Sequence, residues 1–309
     1  MGYMYSMNGY ATLLDTTTAA ASKDLCRGGD MAADMAKLWV YPNAEPVVGA
    51  NQLYTVLIGT NDAHFCGASA GCVANWTQSL AASLAWLALP ATDKVPGSAM
   101  TAVTGTWSTD MQFGEATTGG GGVLSFNVQQ AVAGRMLYVA YRVFDATEVA
   151  GGSAVVSVDG VPAMTLSAAS VQPIATQNGT TDTVFLASVP LGTVGQHTVT
   201  ITTTSAEGAT FSVLWAGASS RNYAAVSGAP TVVIGQITPT SNEDLNTIVA
   251  QYNAALAPLV AGLVNDGMHI IVAPSANAFN PATDMSDMLH PNNVGHAKLA
   301  AVFSGVLPQ

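Results

Sequence analysis

The feature that most constrains this chain is a change of texture between about residues 97 and 218. Lysine is absent there, glycine and threonine dominate, and short stretches alternate apolar with polar residues. Successive side chains of a strand point to opposite faces. Leu124, Phe126 and Val128 would therefore share one face, as would Leu137, Val139, Tyr141 and Val143, and later Val199 with Ile201. Asp159-Gly160 and the run Gly119 to Gly122 supply turn chemistry between such strands. The glycine run lacks the Lys and Ser/Thr that complete a phosphate loop, so it reads as a turn. Several short half-buried strands at this spacing predict a β-sandwich or jelly roll.

On both sides of that stretch the pattern is α/β. Leu53-Tyr54-Thr55-Val56-Leu57-Ile58, ended by Gly59, is a continuous apolar run that suits a strand buried on both faces of a parallel sheet. Val73, Trp76, Leu80, Leu84 and Leu87 then recur at helical steps until Pro90 stops the helix. After residue 229, Thr231–Gly235 and His269–Ala273 read as further strands. Between them runs the apolar stripe from Leu245 to Leu263, with a cap at Ser241-Asn242-Glu243-Asp244 and Gly267 at its end. The expected fold class is thus α/β, a parallel sheet flanked by helices and interrupted by an inserted antiparallel β-sandwich of jelly-roll-like form. The expected boundaries are 1–96, 97–220 and 221–309.

A chain of 309 residues has room for such an insertion. With 49% hydrophobic and 9% charged residues it is too apolar for disorder, and its apolar runs are too evenly broken for a membrane span. The net charge of -11, from 19 acidic and 8 basic side chains, repels a phosphate backbone, so nucleic acid is not an expected partner. No charged-then-apolar leader is visible at the start. Cys66 and Cys72 bracket a short Gly/Ala/Ser loop and could pair or stand as reduced thiols, and Cys26 has no obvious mate. No metal-ligand spacing is visible and no cofactor is expected.

Three short segments could carry chemistry. In Asp287-Met288-Leu289-His290-Pro291, a carboxylate three residues before a histidine can hold the imidazole in one tautomer, the requirement for a general base. Gly59-Thr60-Asn61-Asp62 follows the first buried strand. Ligands of open α/β sheets bind beyond the carboxyl ends of strands, so the Asn61 amide is placed to donate to an oxyanion. The plain alternative is that Asn61 and Asp62 cap the next helix. Gly28-Gly29-Asp30 lies near another strand-to-helix turn, where the Gly29 N–H can approach a ligand closely. Of the other histidines, His64 could line the pocket or sit on an exposed loop. His197 and His269 begin predicted strands and read as structural, and His296 lies on the helix after the turn. Trp107 and Trp215 could stack on sugar rings or pack in a core.

In this order the segments resemble the SGNH (GDSL-type) hydrolase family. That family places a Gly in its second block, Gly-x-Asn-Asp in its third and Asp-x-x-His near its end. Gly29, then Gly59 with Asn61 and Asp62, then Asp287 with His290 match those blocks over roughly residues 1–92 and 229–309. The resemblance implies a serine esterase with His290 as base, Asp287 orienting it, and Asn61 with the Gly29 N–H as oxyanion hole. By analogy with family members bearing a β-sandwich, it implies an acylated polysaccharide or other acyl ester as substrate. The chain departs from the family in having no Gly-Asp-Ser. Ser6 is the serine nearest that place, with scarcely room before it for a strand, while Met1-Gly2 resembles the glycine downstream of the family serine. Two outcomes are therefore expected. If the first block lies upstream, the whole protein is an active esterase; if it is lost, the chain is a glycan-binding or structural protein of a cell or phage-particle surface.

Overall fold

The computed structural model describes residues 10–18, 28–40, 52–145, 149–170, 174, 176, 182–206 and 208–307. Ser6 and Cys26 lie outside them. Three strands, Leu53–Val56, Thr231–Gly235 and Ile270–Ala273, form a parallel sheet with Thr231–Gly235 in the middle. The middle strand is buried throughout, which explains its unbroken apolar sequence: a strand covered on both faces has no polar side. Val232 and Ile234 enter one apolar cluster with the helices Ala70–Ala88 and Glu243–Asn265. Val233 enters another with Leu14, Leu299 and Phe303, from the helices Tyr10–Thr18 and Asn293–Val306.

The Glu243–Asn265 helix begins where the sequence predicts, because the Asn242 side chain accepts the Leu245 N–H at 3.1 Å. It ends at Gly267, whose φ is +97°. By length and composition it could cross a membrane. Here it buries Leu245, Val249, Tyr252, Leu256, Val260 and Leu263 against the core.

The central part is an antiparallel sandwich. A seven-stranded sheet contains the long strands Met136–Asp145, Asp182–Pro190 and Phe211–Ala218. A five-stranded sheet has the order Thr101–Thr104, Val123–Gln130, Gly195–Thr203, Ser153–Val158, Val161–Ser167. Leu124, Phe126, Val199 and Ile201 of the second sheet pack on Leu137, Val139, Val143, Phe211 and Val213 of the first. Val158 pairs with Val161 across Asp159-Gly160, which have φ of +51° and +79°. Left-handed backbone at both positions marks the two-residue hairpin the sequence predicts. The glycine run is also a turn, with Gly120 at +109° and Gly121 at +69°.

The other face of the seven-stranded sheet is covered too. Tyr138, Ala140, Val184, Leu214 and Trp215 join the same apolar cluster as Leu80, Leu84 and Tyr252. The Ala70–Ala88 helix lies over the sheet, with Ser79 Oγ 2.8 Å from Thr183 Oγ1 and Trp86 5.7 Å from Trp215. Lys94, on the Lys94–Pro96 strand that pairs with Phe211–Ala218, donates to the Trp86 carbonyl at 2.6 Å. Trp215 is fully buried and so belongs to the core, not to a sugar-stacking surface. A group of four charges sits at the same seam. Lys37 Nζ lies 3.3 Å from Glu115 and 3.9 Å from Asp182, and Arg142 pairs with both carboxylates.

Candidate functional site

The carboxyl ends of the three parallel strands share one edge, and the chain leaving it leads to Asn61 after Leu53–Val56 and to His290 after Ile270–Ala273. After Ile270–Ala273 the chain makes two short helices, Ser275–Ala278 and Pro281–Asp284, and then the turn that holds His290. Several bonds fix this turn. Met285 bridges to Pro291, the Ser286 N–H donates to the His290 carbonyl at 2.8 Å, and the Asn292 N–H donates to the Asp284 carbonyl at 2.8 Å. Asn292 caps the next helix by accepting from Val294 N and Gly295 N, while its own amide donates to the Thr283 and Met285 carbonyls. Asp284 is buried and accepts from Lys298 at 2.6 Å and from the Asn280 N–H at 2.7 Å.

Asp287 and His290 meet directly in this frame. His290 Nδ1 lies 2.8 Å from Asp287 Oδ2 and 3.0 Å from Oδ1. The Leu289 and His290 N–H groups both donate to Asp287 Oδ1 at 2.8 Å. Burial would raise the Asp287 carboxyl, but the two amides and the imidazole outweigh it and hold the group below its ordinary value. With both side chains about half exposed, at 52% and 55%, the ring faces solvent where a substrate could reach it.

At the end of the first strand, Gly59 has φ +124°, and a Cβ there would lie 2.4 Å from Ile237 Cδ1 and 2.9 Å from Trp76 Nε1. Glycine is therefore required on two grounds, conformation and space. The next residues do not simply cap. Asn61 makes no side-chain cap bond to the turn Asp62–Cys66; its Nδ2 donates to the Asp30 carbonyl at 3.0 Å. A primary amide has two N–H donors, and this bond uses one of them. Asp30 follows Gly29, whose φ of +86° turns the chain and whose missing Cβ would meet nothing within 4 Å. The Asn61 amide and the Gly29 turn are thus neighbours.

Two pairs are in direct contact, Asn61 with Asp30 and Asp287 with His290. The loop after the middle strand lies between them: Ile237 packs on Gly59, and the Ser241 N–H donates to the Met288 carbonyl at 3.1 Å.

The remaining sequence candidates fall outside this arrangement. His64 is exposed and packs edge-on to Phe65. His197 is buried between Asp159 Oδ2 at 2.7 Å and the Thr193 carbonyl at 2.8 Å. His269 Nδ1 lies 3.0 Å from Thr231 Oγ1. Burial lowers both His269 and His296 from the ordinary histidine value. Trp107 donates to the Thr104 carbonyl at 3.1 Å and lies against Gly122. Cys66 and Cys72 form a disulfide, Cα to Cα 5.7 Å, that closes the loop following Asp62. Among the described residues no group of three or more His, Cys, Asp or Glu side chains could hold a metal ion.

Sequence reasoning missed Asp62 as more than a cap. Its carboxylate accepts the Ala32 N–H at 3.1 Å through both oxygens. A partner thirty residues away leaves no trace in local spacing.

No family model and no curated protein matches the chain. Several solved structures resemble part of it. One is a carbohydrate-binding module of family CBM36 in complex with calcium and xylotriose, 16% identical over 41% of this chain and 98% of that one, with a TM-score of 0.31. Another is a family 35 carbohydrate-binding module from Clostridium thermocellum, 16% identical over 42% and 93%, with a TM-score of 0.28. A third is an exo-β-1,3-galactanase from Phanerochaete chrysosporium with galactose, 16% identical over 41% and 29%, with a TM-score of 0.30. Likeness at this level carries no ligand with it.

Proposed function

We propose that the chain is the scaffold of a serine-type ester hydrolase of the SGNH kind that removes acyl groups from a polysaccharide. The observation that carries this reading is the Asp287–His290 pair. The carboxylate grips the ring nitrogen and two backbone amides at once, an arrangement that fixes the imidazole tautomer and directs Nε2 away from the carboxylate. In the reaction, His290 would take the proton from an attacking hydroxyl and return it to the departing alcohol. Asp287 would stabilise the imidazolium formed between those steps. The Asn61 amide and the Gly29 N–H would receive the negative charge that develops on the ester carbonyl oxygen. Among the described residues no hydroxyl is assigned as the nucleophile; Ser6 is the serine that the sequence offers.

The test is turnover of a short-chain chromogenic ester and release of acetate from an acetylated polysaccharide. His290→Ala should abolish both, and activity that survives it rejects the assignment. Loss of activity in Ser6→Ala would identify the attacking oxygen.

A second reading, glycan binding without turnover, is favoured by one observation. The five strands of the smaller sheet carry no Asp, Glu, Lys or Arg. Thr101, Ser125, Thr200 and Ser157 pair in register to make a row of hydroxyls across four of them. A neutral hydrogen-bonding face of this kind suits a neutral polymer. Retention on an insoluble polysaccharide with no ester hydrolysis would select this reading over the first.

A further inference from the structure

Asp62 is buried, and it lines a cavity of about 10 Å³ with Ala33, Asn75, Trp76, Ile174 and the Cys66–Cys72 disulfide. Carboxylates are rarely placed among such walls without a compensating partner. Here the partners are backbone amides, that of Ala32, shared between both oxygens, and its own. The neighbouring residue Asn61 reaches the same short segment from the other side, through the Asp30 carbonyl. Two consecutive residues of the 59–62 loop therefore grip the 28–34 turn, one as donor and one as acceptor. Deeper in the turn, Asp34 accepts the Met31 N–H at 3.0 Å.

We propose that the Asp62 carboxylate is the positioning group that latches the Gly29–Asp30 turn to the Asn61 loop and so sets the spacing of the two oxyanion donors. The inference rests on the hydrolase reading for its purpose, but the latch itself can be measured without it. Burial pushes the Asp62 carboxyl up to about 7, against the Ala32 and own-backbone amides, and the nearby Asp34 carboxylate adds to the rise. The latch thus changes charge in the neutral range. Its titratable surroundings are few. Asp30 and Asp34, both buried, come from the 28–34 turn. Tyr252, from the Glu243–Asn265 helix, donates to the Asp62 and Gly67 carbonyls. The Ala70–Ala88 helix has no charged residue and its Cys72 is in the disulfide. His64, on the same turn, is exposed. Lys37 is engaged with Glu115 and Asp182.

A charge-assisted hydrogen bond to a carboxylate weakens when the carboxyl is protonated. In the full chain, the Ala32 backbone amide resonance should move between about pH 5 and about pH 9 with a midpoint near neutrality. Asp62→Asn, which keeps an acceptor of the same shape, should flatten that titration, and Asp34→Asn should lower its midpoint. His290→Ala should leave it unchanged. In ester turnover, Asp62→Ala should lower kcat roughly 10-fold or more with little change in KM, and Asp62→Asn should recover most of the loss. An Ala32 amide that is flat across the range in the unmodified protein overturns the latch, as does an Asp62→Ala protein that is folded and keeps full kcat. Should Ala32 titrate in a protein that hydrolyses no ester, the hydrolase reading fails and the latch stands.

Discussion

At the scale of single residues, two side chains and one missing side chain decide the site. Asp287 meets the His290 ring and two amides with the same carboxylate. Asp287→Asn should therefore preserve the turn yet present an amide where the ring needs an acceptor. If the hydrolase reading holds, kcat should fall by up to ~10⁴-fold with KM nearly unchanged, by comparison with the same exchange in a serine triad. Steady-state kinetics on the chromogenic ester would show it, and a fall in affinity alone would count against an orienting role. Gly59 makes the complementary point. Its left-handed φ and the closeness of Ile237 and Trp76 leave no room for a methyl group. Gly59→Ala should cost roughly 2–5 kcal/mol, the sum of backbone strain and overpacking. Chemical denaturation at equilibrium measures this directly.

Between residue and molecule lie the elements, and the hairpin at Asp159-Gly160 ties sequence, turn and protonation together. Asp159 Oδ2 lies 2.7 Å from His197 Nδ1, and Asp159 Oδ1 accepts the Thr198 N–H at 2.9 Å. The bond to Asp159, then that to the Thr193 carbonyl, raise the His197 imidazole above its ordinary value against the effect of burial. A group whose folded value is raised stabilises the fold fully below its unfolded value, about 6.5, and loses that contribution as pH rises through the folded value. The thermal midpoint of the native protein should therefore exceed that of Asp159→Asn by more at about pH 5.5 than at about pH 8.5. Asparagine tolerates the left-handed φ at this position, so the comparison isolates the charge. A gap that is constant with pH would remove the ion pair from the account.

This hairpin was legible in the sequence through its turn residues, and the Val123–Gln130 and Gly195–Thr203 strands through the alternation of Phe126, Val128, Val199 and Ile201, because both are local signals. The Phe211–Ala218 strand was not, since every residue of it is buried and it shows no period. Nor were the exposed edge strands Thr101–Thr104 and Ser108–Asp110, which carry no buried face. Within the candidate site, Asp287 with His290 and Asn61 could be picked out by type and spacing. The Asp62–Ala32 bond and the Lys37, Glu115, Arg142 and Asp182 group join residues far apart in the chain, and no local pattern announces them.

For the molecule as a whole, the question is whether the sandwich is a separable module. Its seven-stranded sheet has two covered faces, one against the five-stranded sheet and one against the Ala70–Ala88 helix and its neighbours. Removing residues 98–218 would strip Ser79 and Trp86 of Thr183 and Trp215 and take Tyr138, Ala140, Val184, Leu214 and Trp215 out of the apolar cluster they share with the helix, baring apolar surface that soluble chains do not leave exposed. The excised chain should be insoluble or unfolded, and the intact protein should melt in a single calorimetric transition. The buried charges at the seam give a finer handle. Lys37 stands between Glu115 and Asp182 with its side chain almost wholly covered, so Lys37→Met leaves Arg142 alone to balance two buried carboxylates. Loss of one member of a buried ionic group costs about 3–5 kcal/mol, and at that size the variant should unfold at clearly lower denaturant while still showing one transition. Two resolved transitions, in either the native protein or the variant, would mean that the α/β part and the sandwich fold independently and that the shared core around Trp215 contributes little to holding them together.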